Sequence, residues 1–314
     1  MIQFKSLLEL INAFPDEQSC INYLTHLRWN GETVSPFAPD SKVYHLKGNR
    51  YKCSQTNKYF NVKTGTIFEN SKIPLTTWFI GIYLFATHKR GLSSYQLAAD
   101  LNITQKSAWF MLSRLRFAFE HSMFMRPMEG VVQADETFVG GKNRFRHHDK
   151  KVKYSGDRMF QDKTPVWGAI DQDGMVRCVT LPDTHSQTIT PVVDKVVEKG
   201  AILVTDEWQG YKTVAQHYQH EVVVHARKQY LNESGFTTNK IESFWSHFKK
   251  TIGGTYTKVS PKHLQRYCNE ITLRYNTRTM GIQQRFDLVL SNSGARLSHK
   301  DLVNDNKTRY EYRQ

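Results

Sequence analysis

Three carboxylate residues occupy positions from which they can meet at one point of a folded chain. Asp135 ends the apolar run VVQAD, Asp206 ends the run AILVTD, and Glu242 opens an amphipathic helix predicted for TNKIESFWSHFKK. Carboxylate oxygens are the ligands that hard divalent cations such as Mg2+ prefer. Two such cations about 4 Å apart can activate the attacking oxygen of a phosphodiester and stabilise the leaving oxygen. The three residues therefore indicate a two-ion site for phosphodiester chemistry.

The elements around these residues predict how they meet. From Gly130 the pattern is three strands, a helix, a strand, a helical segment, a strand and a helix. Three antiparallel strands joined by helical crossovers to two further strands form the ribonuclease H-like arrangement. The predicted fold class is therefore α/β, with a mixed five-stranded sheet and helices on both faces. In that order the strand of Asp206 lies beside the strand of Asp135 and parallel to it.

The helix of Glu242 brings further groups to the same edge. Lys249 follows seven residues later, two turns along and on the same face, where it can steady a phosphate. Lys250 is a second expected DNA contact. Acidic residues at strand ends often cap helices or solvate loops, and the neighbours Glu136 and Glu207 are alternative ligands. Side-chain alternation along each strand favours Asp135 and Asp206.

The composition narrows the class of partner. The 314 residues include 43 Lys and Arg against 29 Asp and Glu, a net charge of +14. Such a basic chain favours polyanions, nucleic acid first and anionic membranes second. We expect no signal peptide, and the longest apolar run, about 78–86, is far shorter than the ~20 residues of a membrane span. The four scattered cysteines indicate reduced thiols in a cytoplasmic, nucleoid-associated protein.

A pair of helices upstream is typical of a helix-turn-helix. Ser93 or Ser94 can cap a helix over 95–101, and Thr104 can cap a second helix that runs to about Phe119. An ordinary helical hairpin with a solvated basic face is the alternative. The residues expected on the exposed face of the second helix and available to DNA are Gln105, Lys106, Ser107, Arg114 and Arg116.

A basic segment lies between the first two strands of the predicted sheet. From Lys142 to Lys163 it carries eight Lys and Arg against three Asp. A loop at this place emerges beside Asp135, so Lys142, Arg144 and Arg146 are candidate contacts to DNA phosphates. A solvated hairpin is the equally weighted alternative.

The motifs in combination resemble one transposase family. ADETFVGGK, TDEWQGY, NKIESFWSHFKK and the upstream KTGTIFENSKIPLTTWFIGIYLFATHKRGLSSYQLA are similar to the ISXO-like group of bacterial insertion-sequence DDE transposases. The resemblance spans about residues 25–280. It implies an enzyme that nicks transposon ends and joins the 3′-hydroxyl to target DNA, with Mg2+ or Mn2+ and as a homo-oligomer on double-stranded DNA.

The resemblance also implies the site residues. The two aspartates of the family correspond to Asp135 and Asp206. Some members have Asn in place of the last Glu, so Asn239 contests the third position, three residues before Glu242 on one helix face. We prefer Glu242 because it carries charge and has the seven-residue spacing to Lys249.

The N-terminal region departs from the family, which usually opens with a zinc ribbon. WNGETVSPFAPDSK has no cysteine and YKCSQTNKYF has only Cys53. A structural zinc site needs four ligands, and His45 with Cys53 supplies two, so no structural zinc is expected. We expect a ribbon without metal, in which Lys47, Arg50 and Lys52 can contact the DNA backbone. The residues expected to hold this ribbon together are Tyr44, Leu46, Tyr51, Tyr59, Phe60 and Val62.

The predicted organisation has five parts and two rival functions. The parts are an N-terminal helical segment (1–28), a degenerate zinc-ribbon-like domain (29–70), a helix-turn-helix domain (71–128), an RNase H-like catalytic domain (129–285) and a C-terminal tail (286–314). The first rival to a transposase is a domesticated, catalytically silent DNA-binding protein. The second is a metal-dependent nuclease without joining activity.

Overall fold

The structure is a computed structural model that describes residues 3–119, 126–140, 147–150, 163–224, 232 and 234–304. It forms two compact units. The first comprises Met1–Glu120 and Thr279–Asn304, and the second is built from His121–Arg278. The predicted DNA contacts Lys142, Arg144 and Arg146 lie outside the described residues.

The regular elements are distributed between the two units along the chain. The helices are α1 (Leu7–Ala13), α2 (Glu17–Trp29), α3 (Leu75–Thr87), α4 (Ser94–Leu101), α5 (Gln105–Ala118), α6 (Ser186–Val196), α7 (Asn239–Thr251), α8 (Leu264–Asn276), α9 (Ile282–Ser291) and α10 (His299–Asn304). The strands are β1 (Val43–Leu46), β2 (Arg50–Cys53), β3 (Tyr59–Phe60), β4 (Val131–Val139), β5 (Thr164–Ile170), β6 (Val176–Thr180), β7 (Ile202–Asp206) and β8 (Gln219–Val223). None of the described helices combines the length and the apolar character that crossing a membrane requires.

The first unit contains a small antiparallel sheet in the order β1-β2-β3. One face is buried: Tyr51, Cys53 and Phe60 pack together with Trp29. The Cys53 thiol donates to Ser41 Oγ at 3.2 Å and also lies against the hydroxyls of Ser35 and Thr56.

The side chains that hold this small sheet together differ in part from the expectation. Tyr51, Phe60 and Val62 are buried as predicted. The expectation was wrong for Tyr44, Leu46 and Tyr59, which are exposed large side chains. Tyr44 and Tyr59 lie directly opposite Lys52 in the strand register and so share the face that points away from the core.

Helices α4 and α5 follow the predicted bounds closely. Ser93 Oγ accepts from the Gln96 N–H and caps α4, and Thr104 Oγ1 accepts from the Ser107 N–H and caps α5. Asn102 turns the chain between them in the left-handed conformation, with φ 50° and ψ 47°. Whether the pair binds DNA as a helix-turn-helix stays a prediction, and Lys106 is exposed on α5.

The expected exposure of Arg114 and Arg116 was wrong. Both side chains are buried, at 5% and 2% exposure. Arg114 donates to the backbone carbonyls of Leu297 and Ile67, at 3.2 and 2.7 Å. Residues from the end of the chain therefore cover this side of α5, and a buried guanidinium that satisfies carbonyl groups supports packing rather than DNA contact.

Residues 279–304 add two helices to the first unit. The sequence pattern divides this stretch between the catalytic domain and a tail, whereas α9 packs against α3 and α2. Phe286 of α9 lies against the rings of Phe4 and Phe79, with centroids 5.1 and 5.4 Å away. Helix α9 therefore contributes to an aromatic core whose other members precede residue 90.

The second unit is built on the predicted five-stranded sheet, in the order β6-β5-β4-β7-β8. Strands β6, β5 and β4 are antiparallel, and β4, β7 and β8 run parallel. This order and these directions are those of a ribonuclease H-like fold, which confirms the expected fold class.

Each face of this sheet carries helices and its own core. On one face, residues of α6 such as Ile189 and Val193 pack with Trp167 and Leu203. On the other, the predicted apolar side of α7 packs against Val166 of β5 and residues of α8. The buried residues of α7 are Ile241, Phe244, Trp245 and Phe248. The helix that carries Glu242 is thus fixed to the sheet by its apolar side.

Two details bring the start of α7 close to β4 and β5. A Cβ at Gly168 of β5 would meet the outer ring atoms of Trp245 at 2.6 Å, so the indole packs directly on the strand backbone. Gln133 of β4 accepts from the N–H groups of Lys240 and Ile241 with its side-chain oxygen, at 3.0 and 3.3 Å. Thr238, the residue directly before α7, makes no side-chain cap to the helix. Gln133 therefore acts as the helix cap from another element.

Gly168→Ala is expected to lower the free energy of unfolding by about 1–3 kcal/mol, because the new methyl group overpacks against Trp245. Urea denaturation of the variant measures this loss. Trp245→Phe removes the outer indole atoms, so Gly168→Ala should have a much smaller effect in that background. An equal loss in both backgrounds would show that the contact with Trp245 is not the cause.

Gln133→Ala is expected to lower the free energy of unfolding by about 1 kcal/mol, the usual effect of removing a helix cap. Amide hydrogen exchange at Lys240 and Ile241 should accelerate more than at the other amides of α7. Gln133→Glu is the matched control, because it keeps the acceptor oxygens and places negative charge at a helix N-terminus. Unchanged exchange at these two amides in Gln133→Ala would contradict the capping role.

Candidate active site

Asp135 and Asp206 occupy equivalent places on neighbouring parallel strands. The last pairing of β4 with β7 joins Gln133 to Val204, and each aspartate lies two residues beyond. Residues two apart share a face of a sheet, so both carboxylates extend from the face that α7 covers. Asp206 ends β7 as predicted. Asp135 does not end its strand, because β4 continues to Val139 and stays paired with β5.

Glu136 and Glu207, the alternative ligands, are placed differently. Glu136 faces the opposite side of the sheet and accepts a hydrogen bond from the Tyr211 hydroxyl. Trp167 Nε1 in turn donates to the Tyr211 hydroxyl at 3.1 Å. Burial raises the pKa of Glu136 to about 8; the Tyr211 hydrogen bond opposes this, and the charges on the two aspartates add to it. Glu207 is exposed.

Glu242 reaches this region from the first turn of α7. Its side chain is exposed and accepts a hydrogen bond from the buried Thr238 hydroxyl at 2.7 Å. Asn239, the contesting residue, is the first residue of the helix, and its backbone N–H donates to Thr237 Oγ1 at 3.1 Å. Glu242 is thus oriented by a hydroxyl group just before the helix.

The electrostatics of Asp135 connect the predicted site residues. Partial burial raises the pKa of Asp135 to about 6, and a hydrogen bond from the Glu136 backbone N–H opposes the rise. The negative charges of Asp206 and Glu242 raise this pKa further, and the positive charge of Lys249 lowers it. Asp206, Glu242 and Lys249 are therefore each close enough to Asp135 to act on it through space.

Lys249 and Lys250 lie in the last turn of α7, and both are exposed. Lys249 follows Glu242 by two turns, so the two project from the same side of the helix, as the spacing predicts. A cation here also lies at the negative end of the helix dipole, which favours positive charge. The arrangement places an acidic and a basic group on one accessible side of α7.

The donor set suits hard divalent cations in its chemistry, since it consists of carboxylate oxygens without sulfur or imidazole. Within the described residues, no three His, Cys, Asp or Glu side chains are grouped closely enough to hold a metal ion. The pKa of Asp135 is nevertheless raised, mainly by burial and further by the negative charges of Asp206 and Glu242. A bound cation would offset these negative charges.

Sequence reasoning missed three residues that support this site. Gln133 caps α7, Thr238 orients Glu242, and Tyr211 binds Glu136 behind Asp135. Gln133 has a signal in hindsight: a polar residue two positions before Asp135 lies on the same buried face of the strand. The contact of Tyr211 with Glu136 has no such signal in the sequence, because the two residues are 75 positions apart.

The chain is similar to a transposase domain, to a protein in a transposable element and to a transposase-like protein. Residues 127–276 match the model of the ISXO2-like transposase domain. The chain is 26% identical over 279 residues to an uncharacterised protein in transposable element ISH50 of Halobacterium salinarum, which covers 84% of this chain and 92% of that protein. It is 24% identical over 102 residues to an uncharacterised transposase-like protein of Haemophilus influenzae, which covers 32% of this chain and 80% of that protein.

Solved structures of Mos1 show a more distant similarity. The Mos1 mariner paired end complex with Mn is 12% identical, covers 62% of this chain and 75% of its own, and has a TM-score of 0.22. A pre-cleavage Mos1 transpososome is 12% identical, covers 95% of this chain and 100% of its own, and has a TM-score of 0.21. Similarity at this level does not establish a shared fold. Residues 127–276 thus carry an ISXO2-like transposase domain, and the chain is similar to a transposable-element protein along most of its length. Both findings support an insertion-sequence transposase of the ISXO-like group.

Proposed function

We propose that this transposase cleaves the ends of an insertion sequence and joins the freed 3′-hydroxyl to target DNA. In the first step water attacks a phosphodiester at the element end, and the P–O bond to the 3′ oxygen breaks. In the second step the 3′-hydroxyl attacks a phosphodiester of the target. A P–O bond to the element end forms, the P–O bond to the 3′ oxygen of the target strand breaks, and that oxygen leaves as a 3′-hydroxyl. The observation that carries the proposal is geometric: Asp135 and Asp206 lie at equivalent places on neighbouring parallel strands of an RNase H-like sheet, and the first turn of α7 brings Glu242 to the same face. The influence of Asp206, Glu242 and Lys249 on the pKa of Asp135 agrees with this arrangement.

Asp135, Asp206 and Glu242 would hold the divalent cations that the chemistry requires. Bound Mg2+ or Mn2+ would supply charge to activate the attacking oxygen and stabilise the leaving one. Thr238 orients the Glu242 carboxylate, and Gln133 fixes the helix that presents it. Glu136, turned to the opposite face, supports the strand and stays outside the ligand set.

Basic side chains of α7 would receive the DNA. Lys249 and Lys250 are exposed about two turns of α7 beyond Glu242, and the chain as a whole carries +14. Lysine at such a place neutralises a phosphate as a point charge. Lys249 is the candidate for steadying the reacting strand, because its charge acts on Asp135.

Asp135→Asn and Asp206→Asn are each expected to abolish strand transfer, because the amide removes a negative charge from the cation site. DNA binding should persist, since the basic side chains are unchanged. A strand-transfer assay with labelled element ends in Mg2+ measures the first effect, and a gel-shift assay with the same DNA measures the second.

Glu207→Gln is the matched control, because Glu207 follows Asp206 directly but is exposed. It should retain strand transfer. Retained strand transfer in Asp135→Asn or Asp206→Asn would remove that residue from the catalytic role. Nicking by the native protein without any joined product would favour a nuclease instead.

Glu242→Gln and Asn239→Ala together test which residue completes the site. We expect Glu242→Gln to abolish strand transfer, because the third negative charge is lost, and Asn239→Ala to retain most of it. Asn239→Ala should also keep the Mg2+ concentration that gives half of the maximal rate in the native protein. Loss of strand transfer in Asn239→Ala but not in Glu242→Gln would assign the third position to Asn239.

A further inference from the structure

Trp208 follows the catalytic candidate Asp206 by two residues, and its side chain is exposed. It keeps 49% of its surface open to solvent, whereas Trp167 and Trp245 of the same unit are buried. Val222, at 38%, is the other exposed large apolar side chain in the described part of that unit. Single exposed apolar side chains are common on protein surfaces, so exposure alone does not mark a site.

The indole of Trp208 is nevertheless held in place. Its Nε1 donates to the Thr184 carbonyl at 3.4 Å. A Cβ at Gly210 would lie 2.8 Å from Trp208 Cδ1, from the Thr184 carbonyl oxygen and from Ile189 Cδ1. The absence of a side chain at 210 therefore lets the five-membered ring of the indole pack closely on the loop. A side chain that is both exposed and fixed loses little conformational entropy when it binds a partner.

The loop that carries Trp208 also orients Asp206. The Trp208 backbone N–H donates to Asp206 Oδ1 at 3.0 Å, as in an Asx-turn. The carbonyl that holds the indole belongs to Thr184, which follows the end of β6. Strand β6 runs parallel to β4 and β7, because β4 and β6 are both antiparallel to β5. The indole therefore lies at the same edge of the sheet as the carboxyl end of β7, where Asp206 stands.

We propose that the Trp208 indole stacks on a nucleobase next to the phosphodiester that reacts at the carboxylates. Every base has a π-face, so an indole receives it without reading its sequence. A base inside an intact duplex stack is not accessible to a side chain, so the partner is an unpaired, extruded or terminal base. The contact positions the nucleotide whose phosphate lies at Asp206. That the partner is DNA rests on the proposed function, and the base belongs to the element end or to the target.

The test measures the binding of labelled duplexes by fluorescence anisotropy, with Asp135→Asn in every protein so that no cleavage occurs. One series of duplexes carries the element end and a second carries target DNA. Each member has a single abasic nucleotide, moved stepwise along the strand. Trp208→Leu should weaken binding to the intact duplex of one series by about tenfold, the order expected for one base stacked on an aromatic side chain. When the stacking base itself is missing, Trp208→Leu should cause no further loss. The series in which this occurs identifies the source of the base.

Trp208→Phe is the matched control, because it keeps an aromatic face and the backbone N–H that orients Asp206. It should retain most of the affinity that Trp208→Leu loses, and circular dichroism checks that both variants are folded. A loss in Trp208→Leu that is equal at every abasic position of both series would overturn the proposal. So would an equal loss in Trp208→Phe, or unchanged binding of all intact duplexes by Trp208→Leu. Failure of strand transfer in the native protein would overturn the proposed function and leave this binding result standing.

Discussion

The partial burial of Asp135 on the sheet face that α7 covers, under the influence of two other negative charges, is the constraint from which the proposed site follows. Asp135 sits there with a pKa raised to about 6, first by burial and then, among other influences, by the charges of Asp206 and Glu242. A folded chain retains such an arrangement only when other interactions offset it. The Glu136 N–H and Lys249 supply part of that compensation. A carboxyl group kept at this cost is what the proposed catalytic role of Asp135 would require.

Keeping Glu242 near two aspartates requires a helix attached firmly to a sheet. Helix α7 is held against the sheet and α8 by its buried apolar residues, despite the negative charges near its first turn. These residues are Ile241, Phe244, Trp245 and Phe248. Its first turn is capped by Gln133, two residues before Asp135 on the same strand. The strand that presents the first carboxylate therefore also fixes the helix that presents the third. This coupling makes the relative position of the two acids a property of the packed core.

The first unit uses its basic residues in two opposite ways. Arg114 and Arg116 are buried, and Arg114 satisfies backbone carbonyls of distant segments. Arg50 and Lys52 instead lie on exposed tyrosine rings and remain accessible. Net charge alone does not distinguish these cases, because a long cationic side chain can cover apolar surface or reach solvent. Only packing assigns each residue to structure or to a partner.

Local patterns were enough to predict the five strands of the larger sheet and their order, together with α4, α5 and α7. Alternation and turn residues predicted the strands, apolar spacing predicted α7, and capping residues predicted α4 and α5 within about a residue, because these signals depend on neighbours in the chain. Together with the rules for strand connections, the same patterns predicted the RNase H-like sheet and placed Asp135 and Asp206 on neighbouring parallel strands.

Contacts between distant segments required the tertiary structure. The burial of Arg114 depends on Leu297, the cap of α7 on Gln133, and the hydrogen bond of Glu136 on Tyr211. Each pairs residues far apart in sequence, and periodicity carries no information on which partner a buried polar group finds. The sequence by itself thus determined that Asp135 and Asp206 lie on neighbouring parallel strands. The tertiary structure decided which side of the strand each carboxylate faces and what holds it there, because burial and hydrogen bonding are set by packing.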